Sequence, residues 1–258
     1  MNAVGPLACV VIKELYRRKD FYVLFVLTAL ISVLMGGMNF FNTQNIARYI
    51  KEICLALIWI SSLVIAIGTA ARQLPAERES RTIFPLLAKP VTRADVIAGK
   101  FTGCWLACGL CLVVFYVLFG VLSAARSPEL NWLQIAQALV LHWFMLGMLV
   151  AMTLLGSVVF AAPSSNGTIC LIVTAGMLLL GRHLNKVALQ LTEPGQSIVY
   201  AVYFVLPHFE LFDVRDMVVH SAPLIAAGPF LLALVYAGVY VAVFLLGAWL
   251  VFRRQMLN

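Results

Sequence analysis

The sequence predicts an all-α, polytopic membrane protein, and three observations carry that reading. Of the 258 residues, 63% are hydrophobic and 11% are charged, against roughly 25% charged in a soluble domain. The apolar residues gather into runs near the ~20 residues that a helix needs to cross about 30 Å of hydrocarbon. The charges lie between those runs. Nine of the 29 fall in one stretch, at Arg72, Glu77, Arg78, Glu79, Arg81, Lys89, Arg93, Asp95 and Lys100.

The chain reads as a single transmembrane domain over residues 1–258. Residues 1–20 are expected to form a helix lying in the membrane interface. Leu7, Val10, Val11 and Leu15 fall on one side at helical spacing, with Lys13, Glu14, Arg17 and Arg18 on the other, and the apolar part is too short to span. A plain extension of the first span is the alternative. No secretory signal pattern is visible, so the first span, Phe21 to Phe40, is expected to act as its own uncleaved insertion signal. Asn39, Asn42, Thr43, Gln44 and Asn45 then make a polar loop.

Further spans are expected at Ile53 to Ala71, Phe101 to Ala124, Leu133 to Phe160, Thr168 to Gly181 and Pro229 to Phe252, which makes six. The fifth is short unless it continues past Arg182, and Pro163-Ser-Ser-Asn-Gly167 before it reads as a tight turn. Residues 182–228 form a long outer connection. Within it, Ser197 to Leu206 gives ten apolar and aromatic residues before Pro207, a length that suits a re-entrant or interfacial helix.

Basic residues set the orientation. One set of faces holds Lys13, Arg17, Arg18, Lys19, six in the charged loop (72–100), Arg253 and Arg254, twelve in all; the opposite faces hold Arg48, Lys51, Arg126, Arg182, Lys186 and Arg215. The excess places both termini and the loop on the cytoplasmic side of the cell (inner or plasma) membrane. The net charge of +7 is thus a matter of topology, and no nucleic-acid partner is expected.

The loop has internal structure. Thr92-Arg-Ala-Asp95 has near capping-box spacing, and Pro90 stops any helix running into it. Thr82 to Ala88 is expected to form a short helix whose Ile83, Leu86 and Leu87 make an apolar face in water, a face that a partner groove would explain. Glu77 reads as a solvated charge, worth about 0–1 kcal/mol in any pair it makes.

The run from Glu79 to Gly103 resembles the cytoplasmic loop of type-2 ABC transporter permeases. It carries Glu79, Thr82, Leu86 and Leu87, Pro90-Val91-Thr92-Arg93, and Gly99-Lys100 in the family's order. The resemblance extends to the six-span plan, the interfacial first helix and the outer segment Leu206 to Phe212. It implies a membrane-spanning permease subunit, an exporter or a mechanical transmitter, driven by a separate ABC ATPase. It also implies a second permease copy, as homo- or heterodimer, in the surrounding lipid. The ATPase-coupling residues would be Glu79, Thr82, Ile83, Leu86, Leu87, Pro90 and Arg93, with Glu79 holding the start of the coupling helix. ATP and magnesium would bind in the partner. No cofactor or metal is expected on this chain, which has no GxxxxGK[ST] sequence.

Other signals have plainer readings. Cys104, Cys108 and Cys111 share cluster-ligand spacing, but mid-span they fall on one helix face and read as packing. His183, His208 and His220, with Glu210, Asp213 and Asp216, leave a metal site conceivable on the outer side. His142 is expected at an interface near Trp132. The alternative function is a non-transporting scaffold or a secondary carrier. A carrier would normally show charges inside its spans, and apart from His142 these spans show none.

Overall fold

The computed structural model describes residues 4–17, 26, 29–30, 43–80, 92–124, 131–220 and 222–254. Its regular structure there is entirely helical. In chain order the elements are α1 (Val4–Tyr16), α2 (Thr43–Ala70), α3 (Pro75–Glu79), α4 (Arg93–Ala124), α5 (Trp132–Val159), α6 (Pro163–Ala188), α7 (Gly195–Val205), a 3-10 turn η1 (Phe209–Phe212), α8 (Arg215–Val219) and α9 (Ala227–Arg254).

Four segments are long and apolar enough to cross a membrane: Lys51–Glu79, which joins α2 to α3, and α4, α5 and α9. The apolar part of α6, Pro163–Leu179, is shorter. Helix α7 and the segment Phe209–Val219 pass the same test only as a pair, bent by 45° as a broken span or re-entrant loop. The expected count of six also needs the span Phe21 to Phe40. That stretch lies outside the described residues except for Val26, Ala29 and Leu30, which are helical.

Two expected loops are helix starts instead. Helix α2 begins at Thr43, so Thr43, Gln44 and Asn45 form its first turn. Arg48 Nε donates to Glu52 one turn further on, at 3.2 Å, the i,i+4 pairing that supports an exposed helix. Helix α6 begins at Pro163, where the missing N–H of proline costs nothing because first-turn amides have no intrahelical partner.

Helix α5 is the centre of the bundle. Of its most apolar window 72% is buried inside protein, against 6% for α9, and every residue from Met145 to Thr153 is buried. The joint between α4 and α5 is reciprocal. Trp105 Nε1 donates to the Trp143 carbonyl at 3.0 Å, Trp143 Nε1 donates to the Trp105 carbonyl at 3.1 Å, and the two indoles stack at 4.7 Å. Each ring lies in a notch that only glycine leaves open, Trp143 against Gly109 and Trp105 against Gly147. Inside a bilayer such close packing and interhelical hydrogen bonds replace the hydrophobic drive that water would supply.

Helix α1 lies along the start of α4. Ala8, Val11 and Leu15 are buried, while Val10, expected on the same face, is 63% exposed. Gly99 and Gly103 let α1 approach: a Cβ at Gly99 would sit 2.6 Å from the Leu7 Cβ, and one at Gly103 would sit 2.7 Å from the Val11 Cβ. The cysteine face of α4 is packing: Cys104 and Cys108 are buried and Cys111 is half-buried.

Candidate functional site at the charged end of the bundle

Helices α2, α5 and α9 all finish at one end of the bundle, where α4 and α6 begin. An α-helix leaves its last four carbonyls without intrahelical partners, so this end presents three sets of orphan acceptors. The charged stretch supplies donors to those of α5 and α9, and to the turn that follows α2.

Lys100 meets the turn that follows α2. Although charged, it is 3% exposed. Its Nζ donates to the Gln73 carbonyl (3.1 Å), to Gln73 Oε1 (3.3 Å) and to Glu77 Oε1 (2.7 Å). Gln73 lies in the turn between α2 and α3, and Pro75 starts α3, the short helix that carries Glu77. The lysine therefore fastens the descent from α2 to the body of α4. Arg78 meets the second set, with Nη1 donating to the Val158 carbonyl near the end of α5 at 3.2 Å. Arg93 meets the third. Its Nη1 donates to the Phe252 carbonyl and, at 3.0 Å, to the Arg253 carbonyl, and its guanidinium lies 5.3 Å from the centre of the Phe252 ring. Cations at helix C-termini also face the negative end of the helix dipole.

A neutral side chain completes the arrangement. Asn166, in the first turn of α6, is fully buried. Its Nδ2 donates to the carbonyls of Ala71 (3.3 Å) and Thr153 (3.1 Å), and its Oδ1 accepts from Cys170 Sγ (3.3 Å). Gly156 makes room for it, since a Cβ there would collide with Oδ1. One amide thus joins the end of α2, the body of α5 and the start of α6.

Helix α4 opens with the expected capping box. The Asp95 amide donates to Thr92 Oγ1 (3.1 Å), and the Thr92 amide donates back to Asp95 Oδ2 (3.0 Å). Of the residues expected to couple to an ATPase, Glu79 and Arg93 are described. Glu79 is exposed at the end of α3, and Arg93 is bonded to α9. Thr82, Ile83, Leu86, Leu87 and Pro90 lie outside the described residues. Glu77 corrects the sequence reading, because it is the partner of a buried lysine and not a solvated charge. The sequence gives no partner for Gln73, Arg78, Lys100 or Asn166, although Lys100 stands in the family's Gly-Lys pair and Asn166 in the expected turn. Their partners Glu77, Val158 and Ala71 stand 23, 80 and 95 residues away, where no local spacing rule reaches.

His142 is also placed differently from expectation. It is 2% exposed, inside the bundle. Ser62 Oγ donates to the Trp59 carbonyl (2.9 Å) and so accepts from His142 Nε2–H (2.8 Å), while Tyr116 donates to Nδ1 (3.3 Å). The three side chains pin α2, α4 and α5 together. At the opposite end from the charged stretch, His208 pairs with Glu210 (3.4 Å) and His220 accepts from Arg48 (3.1 Å). Among the described residues no group of three His, Cys, Asp or Glu side chains is gathered as a metal site.

The charged end thus bonds α3 directly to α5, and the start of α4 directly to α9 and to the turn after α2. The family model described as "ABC-2 family transporter protein" matches residues 28–257. No curated protein matches the chain.

Proposed function

The chain belongs to the ABC-2 transporter family as a membrane-embedded permease subunit, and from that membership we propose that a separate ATP-hydrolysing subunit drives it through the charged end. One observation carries this reading. Arg78 and Arg93, on either side of residues 81–91, bond α5 and α9, and Lys100 bonds the turn after α2, so both flanks of that stretch are tied to the ends of spanning helices. In this reading the charged end and both termini face the cytoplasm, as the basic residues argue. The segment Thr82 to Ala88 inserts Ile83, Leu86 and Leu87 into a groove of the ATPase. Glu79, Pro90 and Arg93 fix its two ends. ATP and magnesium are bound by the partner, a second permease copy completes the pathway, and transport runs outward. The pair α7 and η1 enters the outer leaflet and returns.

The test is co-purification. Leu86→Asp/Leu87→Asp, expressed with the ABC ATPase encoded nearest to this chain, is expected to insert normally but to lose the ATPase on purification and to lose stimulated hydrolysis. Normal co-purification with normal stimulation would overturn the proposal.

A further inference from the structure

At the end of the bundle away from the charged stretch, α9, η1 and α5 border an open-sided cavity of about 640 Å³. Leu141 of α5, Leu211 of η1 and Ile225 of the extended stretch before α9 form one side of it. Phe230, Ala233 and Tyr236 of α9 form the other. We propose that this cavity is a lipid site that holds one acyl chain of a membrane phospholipid.

The chemistry of the walls selects hydrocarbon. Polar groups on both sides of the cavity are paired within the protein. Ile225 exchanges two hydrogen bonds with the Gln137 amide, its N–H donating at 3.2 Å and its carbonyl accepting at 3.0 Å, while the Tyr236 hydroxyl accepts from the His208 amide at 2.9 Å. A buried water needs two to four polar partners, and the lining is overwhelmingly apolar, so water is a poor occupant. A polar ligand would meet the same lack.

The walls are also held apart. Phe209 and Phe212, one 3-10 turn apart and so on one side of η1, are buried at 2% and 1%, which anchors η1 in the core. Leu211 points away from them, 55% exposed. The Gln137 bonds fix Ile225 to α5. A void framed this way forfeits dispersion contacts unless something fills it, and its volume lies within the roughly 300–1,000 Å³ of ligand pockets.

The source of the occupant follows from where the cavity opens. Leu232, one of the lining residues, is 71% exposed. It continues into a strip of exposed apolar side chains on α9: Val235, Val239, Val243 and Leu246. Helix α9 is the least buried of the four long apolar segments, and the cavity mouth shares the surface of its exposed strip. Bilayer acyl chains are the hydrocarbon available there. The inference does not depend on ATPase coupling.

The experiment uses the full chain in phosphatidylcholine nanodiscs doped with a phosphatidylcholine that carries a diazirine on one acyl chain. After irradiation, adducts are mapped by peptide mass spectrometry. Adducts are expected to concentrate on Leu141, Phe230 and Ala233. No atom lies within 4 Å of a Cβ built at Gly228, so Gly228→Leu can fill the space. It is expected to cut labelling at Ala233 at least fivefold while leaving labelling at Val243 and Leu246 unchanged. Ala233→Phe, which fills the cavity from within α9, is expected to cut labelling at Leu141 alike. Uniform labelling along α9, or undiminished cavity labelling in both variants, overturns the proposal and leaves only annular lipid. Labelling of the cavity by a free diazirine fatty acid but not by the phospholipid probe also overturns it, in favour of a free amphiphile.

Discussion

Neutralising Glu77 should cost far more stability than neutralising Glu79, two residues away. The Lys100 side chain is 3% exposed and that of Glu77 is 28% exposed, with 2.7 Å between them. In Glu77→Gln the ammonium keeps three oxygen neighbours, but its charge is left buried and uncompensated. Removing one partner of a buried pair costs about 3–5 kcal/mol, and the partial exposure of Glu77 moves the expectation to about 2–3 kcal/mol. Lys100→Met should cost less, about 1–2 kcal/mol, because the freed carboxylate retains access to water and only hydrogen bonds are lost. The double variant should be less destabilised than the sum of the singles, since the two side chains touch. Glu79→Gln, on an exposed site, should stay within about 0.5 kcal/mol. The assay is thermal unfolding of the purified chain in nanodiscs, followed by tryptophan fluorescence. At about 2–4 °C per kcal/mol, Glu77→Gln should lower Tm by roughly 4–12 °C and Glu79→Gln by no more than about 2 °C. Equal shifts for Glu77→Gln and Glu79→Gln, or strict additivity in the double variant, would refute the assignment of a coupled buried pair.

Three further outcomes are expected. Gly103→Leu should displace α1, because even a Cβ would lie 2.7 Å from Val11; a cysteine at Ala8, buried in the parent chain, should then become reactive to thiol reagent. Asn166→Leu should destabilise by about 1–2 kcal/mol, given the interhelical bonds it removes, and should speed hydrogen exchange at the end of α2 more than at the start of α9. In a background with the native cysteines replaced, Gln196→Cys and His208→Cys should react with an impermeant reagent from the same side of the membrane, and reaction from opposite sides would mean that α7 crosses.

Four of the six expected spans are legible because apolar runs long enough to cross a bilayer have few other readings. The capping box at Thr92 and Asp95 was legible for a similar reason, as both partners sit within one turn. Helix starts were less so. Pro163-Ser-Ser-Asn-Gly carries every mark of a turn, yet proline is also at home at the first helical position, and packing of Asn166 against α2 and α5 decides between the two. Arg48 and Glu52 could have revealed the early start of α2, since their i,i+4 spacing is a helical signal. Glu77 was misread because charge density in a sequence says nothing about depth. Only the fold reveals that Lys100 is buried and that its carboxylate lies across a turn. His142 was misread because distance from Trp132 along the chain was taken for depth in the membrane, while Ser62 and Tyr116 on neighbouring helices give it a place inside.

The order of synthesis bears on the donors at the charged end. Arg93 bonds carbonyls 159 and 160 residues later in the chain, and Arg78 bonds one 80 residues later. At about 5–20 residues per second, Arg93 waits roughly 8–30 seconds on the ribosome before its acceptors exist. Throughout that interval the start of α4 is a half-finished clasp, and the arrival of α9 closes it.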